Sequence, residues 1–225
     1  MGIILGYISL FLFIVLLVKA VAHKCHWTKI DRMLMKIHKP VSILLIITCF
    51  LHMIMVIPVV RNRSVLVTVT GILSIICMFL LIYLCHKIMN RQKRIRWHRI
   101  LAVIMAMFVG AHIIICAADF MKYRQKTADI MFDDVDISRA KDGVYEGEYD
   151  IGYIYAKVRV EMMGGRIESV TLLEHRNERG KPAESIIFAV TDEQKVDVDT
   201  VSGATNSSKV IKKAIENAVK KSVIN

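Results

Sequence analysis

The first 118 residues hold a single acid, Asp31, against 14 lysines and arginines. The rest of the chain carries 17 basic and 19 acidic residues, so the net charge of +11 lies wholly in the first part. A uniformly basic nucleic-acid surface is thereby excluded. Cysteine is also sparse. Cys25, Cys49, Cys77, Cys85 and Cys116 form no CxxC pair, and none follows Cys116. A disulfide framework and a cysteine zinc cluster are excluded on that spacing. No pair of acid–base residues indicates substrate turnover, so no catalytic residue is assigned.

What the first part does have is apolar length. Gly2–Val18, Val41–Val60, Ser64–Cys85 and Ile100–Ala118 contain no charged residue. Each is about long enough to cross a ~30 Å hydrocarbon layer as a helix. Four transmembrane helices over residues 1–118 are expected, with membrane lipid as their solvent. The segment between the first two runs carries Lys24, Lys29, Arg32, Lys36 and Lys39. That between the last two carries Lys87, Arg91, Lys93, Arg94, Arg96 and Arg99. Positive charge favours the inner side, which places the N-terminus and everything after about residue 118 outside a bacterial cell membrane. "AVAH" at 20–23 reads as a cleavage signal only weakly, because no basic segment precedes the first run.

Four histidines stand at His38, His52, His98 and His112. Both pairs are 14 residues apart, which brings each pair to within about 40° of one helical face and about 21 Å apart along the axis. The second and fourth helices run in the same direction. His38 can then face His98, and His52 can face His112, at matching depths. Opposed imidazoles can serve as axial ligands to haem iron. The alternative is that these histidines are interfacial or interhelical hydrogen-bonders. An ionisable side chain as deep as His52 or His112 points to function. Ala102, Ala106 and Gly110 recur every four residues and make room for a porphyrin or for a neighbouring helix. His23, His26 and His86 read as surface residues, with His86 a substitute ligand. Over residues 28–118 the arrangement resembles the membrane b-type di-haem cytochromes. That resemblance implies two haems b, with His38, His52, His98 and His112 as ligands.

The second part changes pattern. Residues 119–141 read as a helix extension and an acidic linker. Ile154, Ala156, Val158, Val160 and Met162 alternate with Tyr155, Lys157, Arg159 and Glu161 as in a half-buried strand. Gly164-Gly165 supplies a turn, and "RIESVTLLE" returns as a second strand. "ERGKPAESIIFAV" reads as a loop entering a helix. Val210, Ile211, Ala214, Ile215, Ala218 and Val219 share one face of a last helix. A small α+β domain over 142–225 follows.

Ahead of that last helix stands "VDTVSGATNSS", residues 198–208. A helix N-terminus favours a phosphate, and small residues allow close approach. Ser, Thr and Asn are equally ordinary helix caps. Residues 142–222 resemble the FMN-binding domain of the membrane redox complexes that pump sodium or oxidise ferredoxin. Asp199 to Thr205 matches that family's motif, Asp-x-x-Ser-Gly-Ala-Thr. The resemblance implies FMN joined through its phosphate to Thr205 by a flavin transferase, with Asp199, Ser202, Gly203 and Ala204 as recognition and turn residues. Glu174, His175 and the Arg179–Pro182 loop are candidates for contact with the isoalloxazine ring.

Together these readings imply a membrane electron-transfer protein that links quinol or the inner side, through two haems b, to an extracytoplasmic FMN. Its partners would be the transferase, quinol, and an extracytoplasmic reductase or other redox-complex subunits. A haem-free flavin carrier and a redox-sensing or assembly subunit are the alternatives.

Overall fold

The computed structural model describes residues 1–224. Two compact units meet at Ile115/Cys116. The first contains α1 (Gly2–Lys24), α2 (Thr28–Val60), α3 (Val65–Lys87) and the first part of α4 (Arg91–Ala128). All four helices are long and apolar enough to cross a membrane. They outrun the uncharged stretches because the flanking basic residues are good helix formers and continue the backbone hydrogen bonding. Leu12 and Phe13 of α1, Leu45 of α2, Cys77, Met78 and Leu81 of α3 and Met105 of α4 form a common core. Most other large apolar side chains point outward, as lipid-facing residues do. Ser9 Oγ lies 2.9 Å from Thr48 Oγ1, a buried polar contact between α1 and α2. His26, at φ +57°, makes the tight turn between those helices.

The second unit contains the end of α4, a three-stranded antiparallel sheet in the order β1-β2-β3, and two further helices. The strands are β1 (Gly143–Asp150), β2 (Tyr155–Met163) and β3 (Arg166–Arg176). α5 is Ile186–Glu193 and α6 is Thr205–Ile224. Gly164 and Gly165, at φ +58° and +71°, form the two-residue hairpin loop between β2 and β3, where the left-handed backbone favours glycine. Ala156, Val158, Val160 and Met162 are buried under α6, whose Val210, Ile211, Ala214, Ile215, Ala218 and Val219 have no exposed surface. The opposite face of β2 is polar: Lys157 and Arg159 flank Glu146 of β1 at 2.9 and 2.8 Å. Hydrogen bonds from those two cations hold the Glu146 carboxyl below its ordinary range.

Strand β1 approaches α6 through Gly147. A Cβ there would lie 2.2 Å from the Ala214 carbonyl oxygen and 2.5 Å from the Ala218 nitrogen. Helix and strand backbones therefore touch, and no side chain fits between them. Residues 129–141 are not a free tether. Lys213 Nζ donates to the Met131 carbonyl at 2.7 Å, Lys220 pairs with Asp133, and Lys212 lies over the Phe132 ring. Lys213 and Lys220 also bracket the fully buried Glu216 at 2.8 and 2.7 Å. Such a carboxylate is tolerable only with partners of this kind.

Candidate functional site

The motif stretch turns sharply before α6. Ala204 N–H donates to the Val201 carbonyl at 3.0 Å, closing a four-residue turn. Gly203 has φ +76° and open space where a Cβ would stand. Its absent side chain serves backbone conformation, not crowding. Ser208 N–H donates to the Ala204 carbonyl at 3.0 Å, so Ala204 holds the cap position. An alanine has no oxygen with which to cap. Thr205, Asn206 and Ser207 form the first helical turn, and Thr205 is exposed. Ser208 instead reaches back, its Oγ accepting from the Val201 N–H at 3.1 Å.

A cavity of about 370 Å³ opens at this helix start, within the range of small cofactor sites. Gly203, Ala204, Thr205, Asn206 and Ser207 form one wall, Glu178, Arg179 and Gly180 another, and Tyr123 and Ile154 complete it. The structure thus brings Gly203, Ala204 and Thr205 to the cavity. Asp199 and Ser202, both exposed, lie outside its lining. Of the ring-contact candidates, Arg179 and Gly180 line it. Glu174 faces solvent beside Arg176, 3.3 Å away. His175 has its side chain only 2 % exposed, with Glu184 Oε1 3.0 Å from Nδ1. Its Nε2 is buried with no hydrogen-bond partner among the described residues.

Gly180 is there because nothing larger fits. A Cβ would lie 1.8 Å from Ser207 Oγ and 2.4 Å from Ser207 Cβ, and Ser207 is buried. Gly180→Ala should lower stability by about 1–3 kcal/mol, as overpacking does, and push the 177–180 turn away from α6. Thermal unfolding checks this, and Ser207→Gly in the same chain should recover most of the loss.

Tyr123 was missed by the sequence reading. Its hydroxyl accepts from Asn206 Nδ2 at 2.8 Å, next to Thr205. Its ring meets Tyr153 edge-on with centroids 5.2 Å apart.

In the helical unit, the His38 and His98 rings lie 6.2 Å apart, tilted by 71°. Two imidazoles on opposite faces of one iron, with Fe–N bonds of ~2 Å, have centroids about 6 Å apart. The observed separation is close to that value. His38 Nδ1 is buried without a hydrogen-bond partner among the described residues, and His98 Nδ1 lies 3.5 Å from Cys85 Sγ. His52 Nδ1 donates to the Gly2 carbonyl at 2.8 Å, and His112 Nδ1 donates to the Val67 carbonyl at 3.1 Å. These bonds fix the tautomer in which Nε2 carries the lone pair, as metal-ligating histidines require. Four residues after each accepting carbonyl comes a glycine against the same ring. A Cβ at Gly6 would lie 3.0 Å from His52, and one at Gly71 3.2 Å from His112. His23 is engaged with Asp31 at 3.1 Å. Among the described residues no three His, Cys, Asp or Glu side chains converge as a metal cage. Haem iron needs none, since the porphyrin supplies four ligands.

Residues 152–220 match the family model of the FMN-binding domain. A curated protein of Treponema pallidum (strain Nichols), described as an uncharacterized protein, is 37 % identical over 79 residues. That likeness covers 34 % of this chain and 22 % of the relative, so it spans about a fifth of that protein's length.

Proposed function

We propose that this multi-pass membrane protein with an FMN-binding domain transfers electrons between the membrane and a flavin held outside it. FMN is attached to Thr205 through its phosphate, and two haems b are held by His38/His98 and His52/His112. When bound, these groups supply the one- and two-electron chemistry, and the chain supplies their positions. Thr205 is an exposed threonine at the start of α6, where the N–H groups and dipole of a helix N-terminus favour the phosphate charge. Asp199 and Ser202, away from the cavity, offer a surface to a flavin transferase. The basic segments around residues 24–39 and 87–99 support an extracytoplasmic position for this domain. Membrane quinol and an extracytoplasmic reductase or redox-complex partner are the expected neighbours in the chain of transfer.

The observation that carries the reading is the conjunction of the cavity at Thr205 with the FMN-binding match. The histidine geometry extends it into the helical unit. The test is cofactor stoichiometry of the chain made with its transferase in a haem-competent bacterium and purified in mild detergent. One FMN by intact mass and two haems b by pyridine haemochrome are expected. FMN without haem would leave a flavin carrier on a four-helix anchor. Neither cofactor in a folded sample would overturn the reading.

A further inference from the structure

The cavity wall is uneven in chemistry. Glu178 and Arg179 are charged, Thr205, Asn206 and Ser207 are polar, and Gly180, Gly203 and Ala204 offer almost no surface. Ile154 is 4 % exposed, with little side chain left to present. Tyr123 is the one aromatic residue in the lining, and it is half-buried. It comes from the end of α4, outside the residues that match the FMN-binding family.

Its setting is rigid. On one side the hydroxyl is held by Asn206, the residue that follows Thr205. On the other the ring abuts Tyr153, which is buried. The Tyr153 hydroxyl donates to Asp119 Oδ1 at 3.2 Å, and Lys126 Nζ donates to the Ile151 carbonyl at 2.8 Å while lying above the Tyr153 ring. Asp119, Tyr123 and Lys126 share one face of α4 at spacings of four and three, and Asn206 of α6 holds the platform from the other side. A flat aromatic ligand fastened at Thr205 needs a flat apolar partner within the cavity, and aromatic pairs stack in offset or edge-on geometry.

We propose that Tyr123 is the platform for the isoalloxazine ring of a flavin attached at Thr205. Asn206 keeps that platform in register with the attachment residue. The inference rests on the proposed attachment. It adds that the flavin site is completed by the helix leading out of the membrane unit, not by the matched domain alone.

The test is flavin fluorescence of the full-length, flavinylated chain, because a stacked tyrosine quenches the flavin. With one FMN per chain by mass in each sample, Tyr123→Leu and Tyr123→Ala should be several-fold brighter than wild type, with a shifted flavin midpoint potential. Tyr123→Phe keeps the ring, loses the Asn206 bond, and should stay dim. Tyr155→Ala, on the polar face of β2 and outside the cavity lining, should also stay dim. Using leucine beside alanine retains bulk against Tyr153 should the smaller residue loosen the fold. Flavinylated Tyr123→Leu and Tyr123→Ala as dim as wild type would overturn the platform. A wild-type chain without FMN by mass would overturn the attachment reading first and this inference with it.

Discussion

Thr205→Val is expected to leave the protein folded and wholly without covalent FMN. The side chain is exposed at the first position of α6, so valine removes the hydroxyl without touching the core. Valine and threonine differ little in helix propensity, by roughly a few tenths of a kcal/mol, and thermal unfolding should barely move. Esterification needs an oxygen nucleophile, and valine has none. The effect on the intact mass is therefore all or none. Thr205→Ser retains a hydroxyl and should keep part of the flavin. Asp199→Ala removes an exposed carboxylate outside the cavity lining, so lowered occupancy there would reflect recognition by the transferase. One FMN on the Thr205→Val chain would move the attachment site elsewhere.

The second large effect concerns the histidines. His52→Ala should reduce the haem content from two to one and leave FMN unchanged. His38→Ala should do the same through the other pair. An axial ligand contributes a bond that no neighbour can replace, since the Gly2 carbonyl and Gly6 beside His52 offer no nitrogen. Double replacement should remove both haems. The reduced-minus-oxidised spectrum and pyridine haemochrome count read the result. If each single variant keeps two low-spin haems, the ligands are other residues, with His86 the first to replace. The variants should also differ in stability. His52 is hydrogen-bonded to α1 and His38 Nδ1 has no such partner among the described residues, so His52→Ala removes a hydrogen bond between α2 and α1 and should cost more stability than His38→Ala.

The elements that could be read from residue pattern are those whose signal is local. The four uncharged runs, the alternation through β2, the Gly-Gly hairpin and the apolar face of α6 each need only neighbours along the chain. The fourteen-residue spacing likewise set His38 opposite His98, and their rings do meet. Strand β1 went unread for a reason visible in its packing. Its central core-facing position is Gly147, which carries no side chain because α6 occupies the space. The closeness that makes the strand essential removes the hydrophobic mark by which strands are recognised. Tyr123 was illegible for a different reason. It lies in a polar helix extension, 82 residues before Thr205 in the sequence, and only tertiary packing joins them. The carbonyls of Gly2 and Val67 carry no side-chain information at all.

The seam between Gly147 and α6 also bears on how the domain assembles. Its two sides are about seventy residues apart along the chain, and contacts of such separation form slowly because loop closure precedes any reward. All three strands leave the ribosome before the helix that covers them. Until α6 arrives, the apolar face of β2 stays open, and the turn that presents Thr205 has no helix to follow it. A transferase that reads the finished turn would then act as a checkpoint on folding, marking only chains whose sheet has already closed. Pulse-chase labelling should show flavin incorporation lagging synthesis by the folding time of the domain.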